Sequence, residues 1–278
     1  MSGFRVNRVG FARALASALV LTSSLLGSTG ALAFERTLSC DQQGLLQCDP
    51  GQVPAPLRWT QRCLDLYFNP TNAEAVGAPS DVADAVARAI GSWDAIADSQ
   101  LRLRYAGTTD ENRVGYAVSC TDNINAIMLV NDNWADSPGA QNNVVALTSV
   151  TYDFSSGEIL DADIEMNLEY FEWQLFEAAD PLSVDHDLQS TLTHELGHLV
   201  GLDHTTDGTF SGGANESWQA TTMFARTLPG QTAKRTLEPD DINGLLEIYG
   251  PQTSSPGACP SRGPAVRAAP MSTPGERC

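Results

Sequence analysis

Of the four histidines in 278 residues, three fall in one stretch, His194-Glu195-Leu196-Gly197-His198-Leu199-Val200-Gly201-Leu202-Asp203-His204. On a helix, His194 and His198 stack one turn apart on the same face, a spacing that lets two imidazoles share one Zn2+. Gly201 leaves such a helix with positive φ at no steric cost, so the chain can turn back and bring His204 to the same ion. Three neutral nitrogens leave a fourth position open to water, the arrangement of catalytic zinc, whereas structural zinc is closed by four protein ligands. Glu195 projects beside that position as a general base that takes a proton from water and passes it to a leaving amine. Amide hydrolysis without a covalent intermediate is the chemistry expected. With so few His and 23 Gly in the chain, chance assembly of the pattern has odds of roughly three in a million. A site that holds metal without turnover is the remaining alternative.

A helix must carry the first two ligands. Leu188, Leu192, Leu196 and Leu199 form its apolar stripe, and Asp185 and Asp187 place negative charge at its positive end. Upstream, residues 64–68 read as a strand. Ser80 is the expected cap of a helix in which Val82, Val86, Ile90, Trp93 and Ala97 recur at helical spacing. Leu101, Leu103 and Tyr105 alternate with Arg102 and Arg104, residues 126–130 form a buried apolar run, and residues 144–152 are another strand. After the turn Asp153-Phe154-Ser155-Ser156-Gly157, Leu160, Ala162, Ile164 and Met166 face one way and Asp161, Asp163 and Glu165 the other, an acidic face expected in solvent. A last helix starts at Pro239, carries Asp240 and Asp241 in its first turn and ends at Gly250, which suits a C-cap. Strands before and between helices predict an α/β domain, a mixed sheet packed against about three helices.

The ends have their own logic. Arg5, Arg8 and Arg13 precede and open an apolar run over residues 14–26, and Ala31-Leu32-Ala33 is a small-x-small cleavage site, so residues 1–33 read as a signal peptide and the mature chain as secreted. The run is too short to span a bilayer, and no second apolar span follows. Residues 34–57 read as an irregular, cysteine-containing leading segment and residues 251–278 as a Pro- and Ser-rich tail without a core. Six cysteines in an exported chain imply disulfides; of fifteen pairings, Cys63 with Cys120, Cys40 with Cys48 and Cys259 with Cys278 is one arrangement. A net charge of −18 repels phosphate backbones and anionic lipid, which argues against nucleic acid as a partner.

These residues resemble the metzincin zinc endopeptidases, and among them the matrixin family, over residues 58–250. Besides the zinc motif, Asp161-Ala162-Asp163-Ile164 resembles the matrixin strand beside the substrate groove, and Asp240-Asp241-Ile242-Asn243-Gly244-Leu245-Leu246-Glu247-Ile248-Tyr249-Gly250 resembles the closing helix. The resemblance implies a zincin-like fold, a polypeptide substrate bound in extended form, and one catalytic Zn2+ on His194, His198 and His204 with Glu195 as base. It also implies a methionine turn at Thr222-Met223-Phe224, with Met223 as an apolar floor under the imidazoles and Asp240 and Asp241 anchoring the helix beneath it. Met223 lies farther beyond His204 than in vertebrate matrixins, across a Gly- and Ser-rich stretch that includes Trp218.

One spare histidine, His186, is too few for a second, structural zinc, and is expected at the surface or as a cap near the start of the active helix. Asp153, Gly157, Asp161, Asp163 and Glu165 supply oxygens for Ca2+ without a recognisable loop motif. Neither Cys40 nor Cys48 lies in the family's cysteine-switch motif. The expectation is a secreted, monomeric zinc endopeptidase; the alternatives are a catalytically silent zinc-holding module outside the cell and a surface-attached spacer.

Overall fold

Leu64, Leu66 and Phe68 alternate along one strand, residues 63–68, and all three are buried in the core. The computed structural model describes residues 34–39, 41–42, 45–46, 53–116, 123–137, 140–205, 220–250 and 259; the expected signal peptide, Cys40, Cys48, Cys120, Cys278, Trp218 and the tail apart from Cys259 lie outside them. Every described residue belongs to one unit, Leu32–Cys278. In chain order the strands are β1 (Glu35–Arg36), β2 (Asp41–Gln42), β3 (Leu45–Leu46), β4 (Cys63–Phe68), β5 (Arg102–Thr108), β6 (Asn125–Val130), β7 (Ala146–Tyr152), β8 (Ile159–Asn167), β9 (Trp173–Gln174), β10 (His186–Asp187) and β11 (Leu202–Asp203). The α-helices are α1 (Pro79–Asp94), α2 (Leu188–Leu199) and α3 (Pro239–Tyr249).

The main sheet has the order β5-β4-β6-β8-β7. Its first four strands are parallel, and β7, which the Asp153–Gly157 turn joins to β8, closes it antiparallel to β8. Helix α1 makes the crossover from β4 to β5 and buries Val82, Ala85, Val86, Ala89, Ile90 and Trp93. Its start differs from expectation. Pro79 occupies the first helical position and Ala78 the cap, so Ser80 lies inside the helix. Proline needs no amide partner and its fixed φ suits that position, which outweighs the hydroxyl cap. The arginines of β5 pair across the sheet and back to the helix, Arg104 with Asp65 and Arg102 with Asp94. Among the described residues, no helix is long and apolar enough to cross a membrane.

The acidic face of β8 is buried, contrary to expectation: Asp161, Asp163 and Glu165 are 0%, 1% and 5% exposed. Alternation recorded that these side chains oppose the apolar set, but the opposite face is covered too, by the excursions before β6 and before β7. Asn123 donates to Asp161 Oδ1 (2.5 Å), the Gly115 and Ala126 amides donate to the two oxygens of Asp163 (2.8 Å each), and Ser137 Oγ donates to Glu165 Oε1 (2.6 Å). Burial, together with Asp161, raises the pKa of Asp163 to about 7, and burial raises that of Asp161 as well.

The leading segment is tied to the domain by backbone pairing. β1 pairs antiparallel with β11, the Thr37 amide donates to Gly201 O (3.1 Å), and Leu57 N donates to Thr37 O (2.8 Å). Backbone groups entering a packed region must find partners, and here they find them on the loop that leads to His204. Cys63 is bonded to Cys259, which overturns both the Cys63–Cys120 and the Cys259–Cys278 pairings. The start of β4 and the end of α3 are neighbours already: Gln100 N donates to Tyr249 O (2.8 Å) and Trp59 N to Tyr249 Oη (3.0 Å). Spatial proximity, not sequence spacing, chose the bridge.

Candidate metal centre

Helix α2 begins where Asp187 caps it, accepting the Ser190 amide at 2.8 Å. Arg235 closes on the same carboxylate from a later segment, Nε to Oδ2 at 2.8 Å and Nη2 to Oδ1 at 2.5 Å, a bidentate pair. Leu188, Leu192, Leu196 and Leu199 are buried in the core. Two tryptophans fix the helix by donating to its carbonyls, Trp93 Nε1 to Thr193 O and Trp59 Nε1 to Leu199 O, both 2.8 Å. His186 is neither surface nor cap. It is buried with its ring edge-on to Phe171 at 5.3 Å and tilted against Trp173 at 5.8 Å, and desolvation lowers its pKa.

The structure brings His194, His198 and His204 together. One nitrogen from each lies within 4.8 Å of the others; Nε2 of His204 is 3.3 Å from Nε2 of His194 and 3.2 Å from Nε2 of His198. Zn–N bonds of about 2.0–2.1 Å in tetrahedral geometry place ligand nitrogens about 3.3–3.4 Å apart, so the donor set fits zinc. The tautomers fit too. His194 Nδ1 donates to Thr222 O (2.6 Å) and His198 Nδ1 to Leu202 O (2.9 Å), which leaves both Nε2 lone pairs facing inward and available to a cation. Burial keeps His194 and His204 neutral, the latter with its pKa lowered to about 3, as metal ligands must be. Gly201 has φ +98°, and a Cβ there would lie 2.6 Å from Leu57 O. This is the reversal that carries His204 back to the helix.

Met223 is fully buried beneath the helix. A Cβ on Gly197 would fall 2.1 Å from its sulfur and 3.0 Å from Trp93 Cζ2, so the absent side chain is what admits the thioether. The turn itself hangs on Asp241, whose carboxylate accepts the amides of Thr222 (2.9 Å), Met223 (3.0 Å) and Glu238 (2.8 Å). Thr205 N donates to Met223 O (2.9 Å), which ties the turn to the residue directly after His204. Asp240, its neighbour in the first turn of α3, makes none of these amide contacts. Lys234, unremarked in the sequence, is buried. Its Nζ donates to Phe224 O and lies 3.3 Å from His194 Nδ1, and burial pushes its pKa down to about 8 against the pull of Glu195 and Asp241.

Glu195 is buried next to His194 in the second half of α2, and its Oε2 accepts Thr148 Oγ1 from β7 at 2.6 Å. Sequence reasoning missed Thr148, Lys234 and Arg235, which carry no local pattern. It could have found Gly197, because glycine inside a helix costs about 1 kcal/mol relative to alanine and implies a close neighbour.

The matrixin profile matches residues 58–250, more than two thirds of the chain. Similar proteins include Metalloendoproteinase 1 of Glycine max, 33% identical over 70 residues, which are 25% of this chain and 19% of that protein. Metalloendoproteinase 1-MMP of Arabidopsis thaliana is 38% identical over 65 residues, 23% and 15% of the two chains, and its 5-MMP is 34% identical over 84 residues, 30% and 20%. The chain thus spans at most a fifth of the length of these relatives. With the profile covering the zinc motif, the methionine turn and the closing helix together, the chain belongs to the matrixin family of metallopeptidases.

Proposed function

We propose that the chain is a secreted zinc-dependent endopeptidase that hydrolyses peptide bonds of extended polypeptides. The observation that carries the reading is the convergence of three imidazole nitrogens, with Nε2 of His204 3.3 Å and 3.2 Å from those of His194 and His198, and with Glu195 next to His194. His194, His198 and His204 would hold a zinc ion, whose Lewis acidity would polarise the scissile carbonyl and lower the pKa of water towards neutral. Glu195 takes the proton of the attacking water and delivers it to the departing amine nitrogen, a transfer that needs no covalent adduct. Thr222 O and Leu202 O orient His194 and His198 by accepting their Nδ1 protons, and Asp241 holds the turn that places Thr222.

Substrate is expected along β7, the strand at the end of the sheet, whose second edge pairs with no strand among the described residues. An open edge offers alternate main-chain donors and acceptors to an extended peptide, so affinity comes from backbone pairing and side-chain pockets add preference. The leader-like composition of residues 1–33 supports export.

The test is Glu195→Gln, assayed on a proteome-derived peptide library with elemental analysis for zinc. The expected variant keeps one zinc per chain and loses chelator-sensitive cleavage; native-like turnover would remove Glu195 as base. A native chain that holds zinc and cleaves nothing in the library would instead be a binding module.

A further inference from the structure

We infer that Thr148 is a positioning residue that sets which carboxylate oxygen of Glu195 meets the reacting proton; the inference rests on Glu195 being the base. Thr148 sits in the middle of β7, paired with Ile164 of β8, so the sheet fixes its backbone. Its Oγ1 reaches two acceptors on α2, Glu195 Oε2 at 2.6 Å and Glu195 O at 3.1 Å. A hydroxyl has one proton. The carboxylate is nearer and charged, and the distance is that of a charge-assisted O–H···O bond, while the carbonyl is also served by the helix ladder.

Glu195 would otherwise be free to rotate about several side-chain bonds, and one strong bond to a strand-borne hydroxyl removes much of that freedom before substrate arrives. Anchored through Oε2, the carboxylate presents Oε1 to the proton it transfers. The same strand is the open edge on which the peptide is expected to lie, so substrate register and base orientation are referred to one rigid element. Main-chain pairing by β7 does not involve the hydroxyl, so the residue bears on turnover and not on substrate affinity.

The test compares Thr148→Val, which keeps the branched shape and removes the hydroxyl, with Thr148→Ser, which restores it. For valine, kcat on a peptide substrate is expected to fall about 10- to 100-fold, the usual loss on removing a hydrogen-bond partner behind a reacting group. KM should stay within about 2-fold, because ground-state binding is untouched. Zinc content should remain one per chain, and serine should recover most of the loss.

Valine kcat within about 2-fold of native, or a loss that serine does not rescue, overturns the inference. So does a loss that tracks missing zinc. Should valine prevent folding, serine against alanine at the same position carries the same comparison. Glu195→Gln separates the two levels: native-like cleavage by that variant removes the base itself, whereas its silence beside an unimpaired Thr148→Val removes only the role of Thr148.

Discussion

Replacing Asp161 by Asn should flatten the pH dependence of stability. Asp161 and Asp163 face the same way from β8, both buried, and the groups around them are Asn123, the Gly115 and Ala126 amides and the more distant charge of Glu111. Both oxygens of Asp163 accept backbone N–H groups, whereas Asp161 Oδ2 has no donor among the described residues. Two carboxylates so placed cannot both ionise cheaply, and the pair keeps one proton.

Asp163, with its pKa raised to about 7 from 3.8 by burial and then by Asp161, carries the linkage. The folded chain holds a proton that the unfolded chain releases near pH 4, so the stabilisation is complete below that pH and is lost as pH rises towards 7. A shift of that size corresponds to about 4 kcal/mol. Glu111, held down to about 2 by Arg113, titrates below this window and does not contribute to the slope. In Asp161→Asn the new amide donates to Asp163 in place of the shared proton, and its carbonyl still accepts from Asn123.

Thermal melts of the zinc-loaded proteins between pH 5 and pH 8 are the assay, read as variant minus native so that zinc linkage cancels. The two should melt together near pH 5. At pH 8 the variant should be the more stable by about 2 kcal/mol, or roughly 4–8 °C for a domain of this size. A difference independent of pH, or a variant less stable at pH 8, refutes the shared proton.

Two further outcomes follow from packing and covalent closure. Cys63→Ser with Cys259→Ser opens a loop with a sequence separation of 196, which should lower the urea-unfolding free energy by about 5 kcal/mol; a midpoint unchanged from native would contradict it. Gly197→Ala forces a methyl to within 2.1 Å of the Met223 sulfur and should cost about 1–3 kcal/mol with weaker zinc retention in a chelator competition, whereas native-like retention would show that the floor yields freely.

What the sequence made legible is what local periodicity controls. The stripe of α2 and the His194–His198 spacing are consequences of the helical repeat, and the positive φ of Gly201 follows from a residue type that alone adopts it freely. The errors share one physical cause, which is that a neighbour distant in the chain decides the environment. Alternation in β8 told which side chains oppose one another, but solvent on the acidic side depended on the excursions that bring Asn123, Gly115 and Ser137 over it. Lys234 carries no local pattern, and its burial comes from Phe224 O and helix α2 closing around it.

The Cys63–Cys259 bridge and the Thr148–Glu195 bond likewise join positions with no shared pattern. Yet the consequences of these distant contacts fall on residues the motif had named. Asp241 fixes Thr222, Thr222 fixes His194, and Thr148 fixes Glu195. A zinc motif therefore specifies which atoms do chemistry, while the sheet edge and the closing helix specify where those atoms point, and the second kind of information is the one a one-ångström error would destroy.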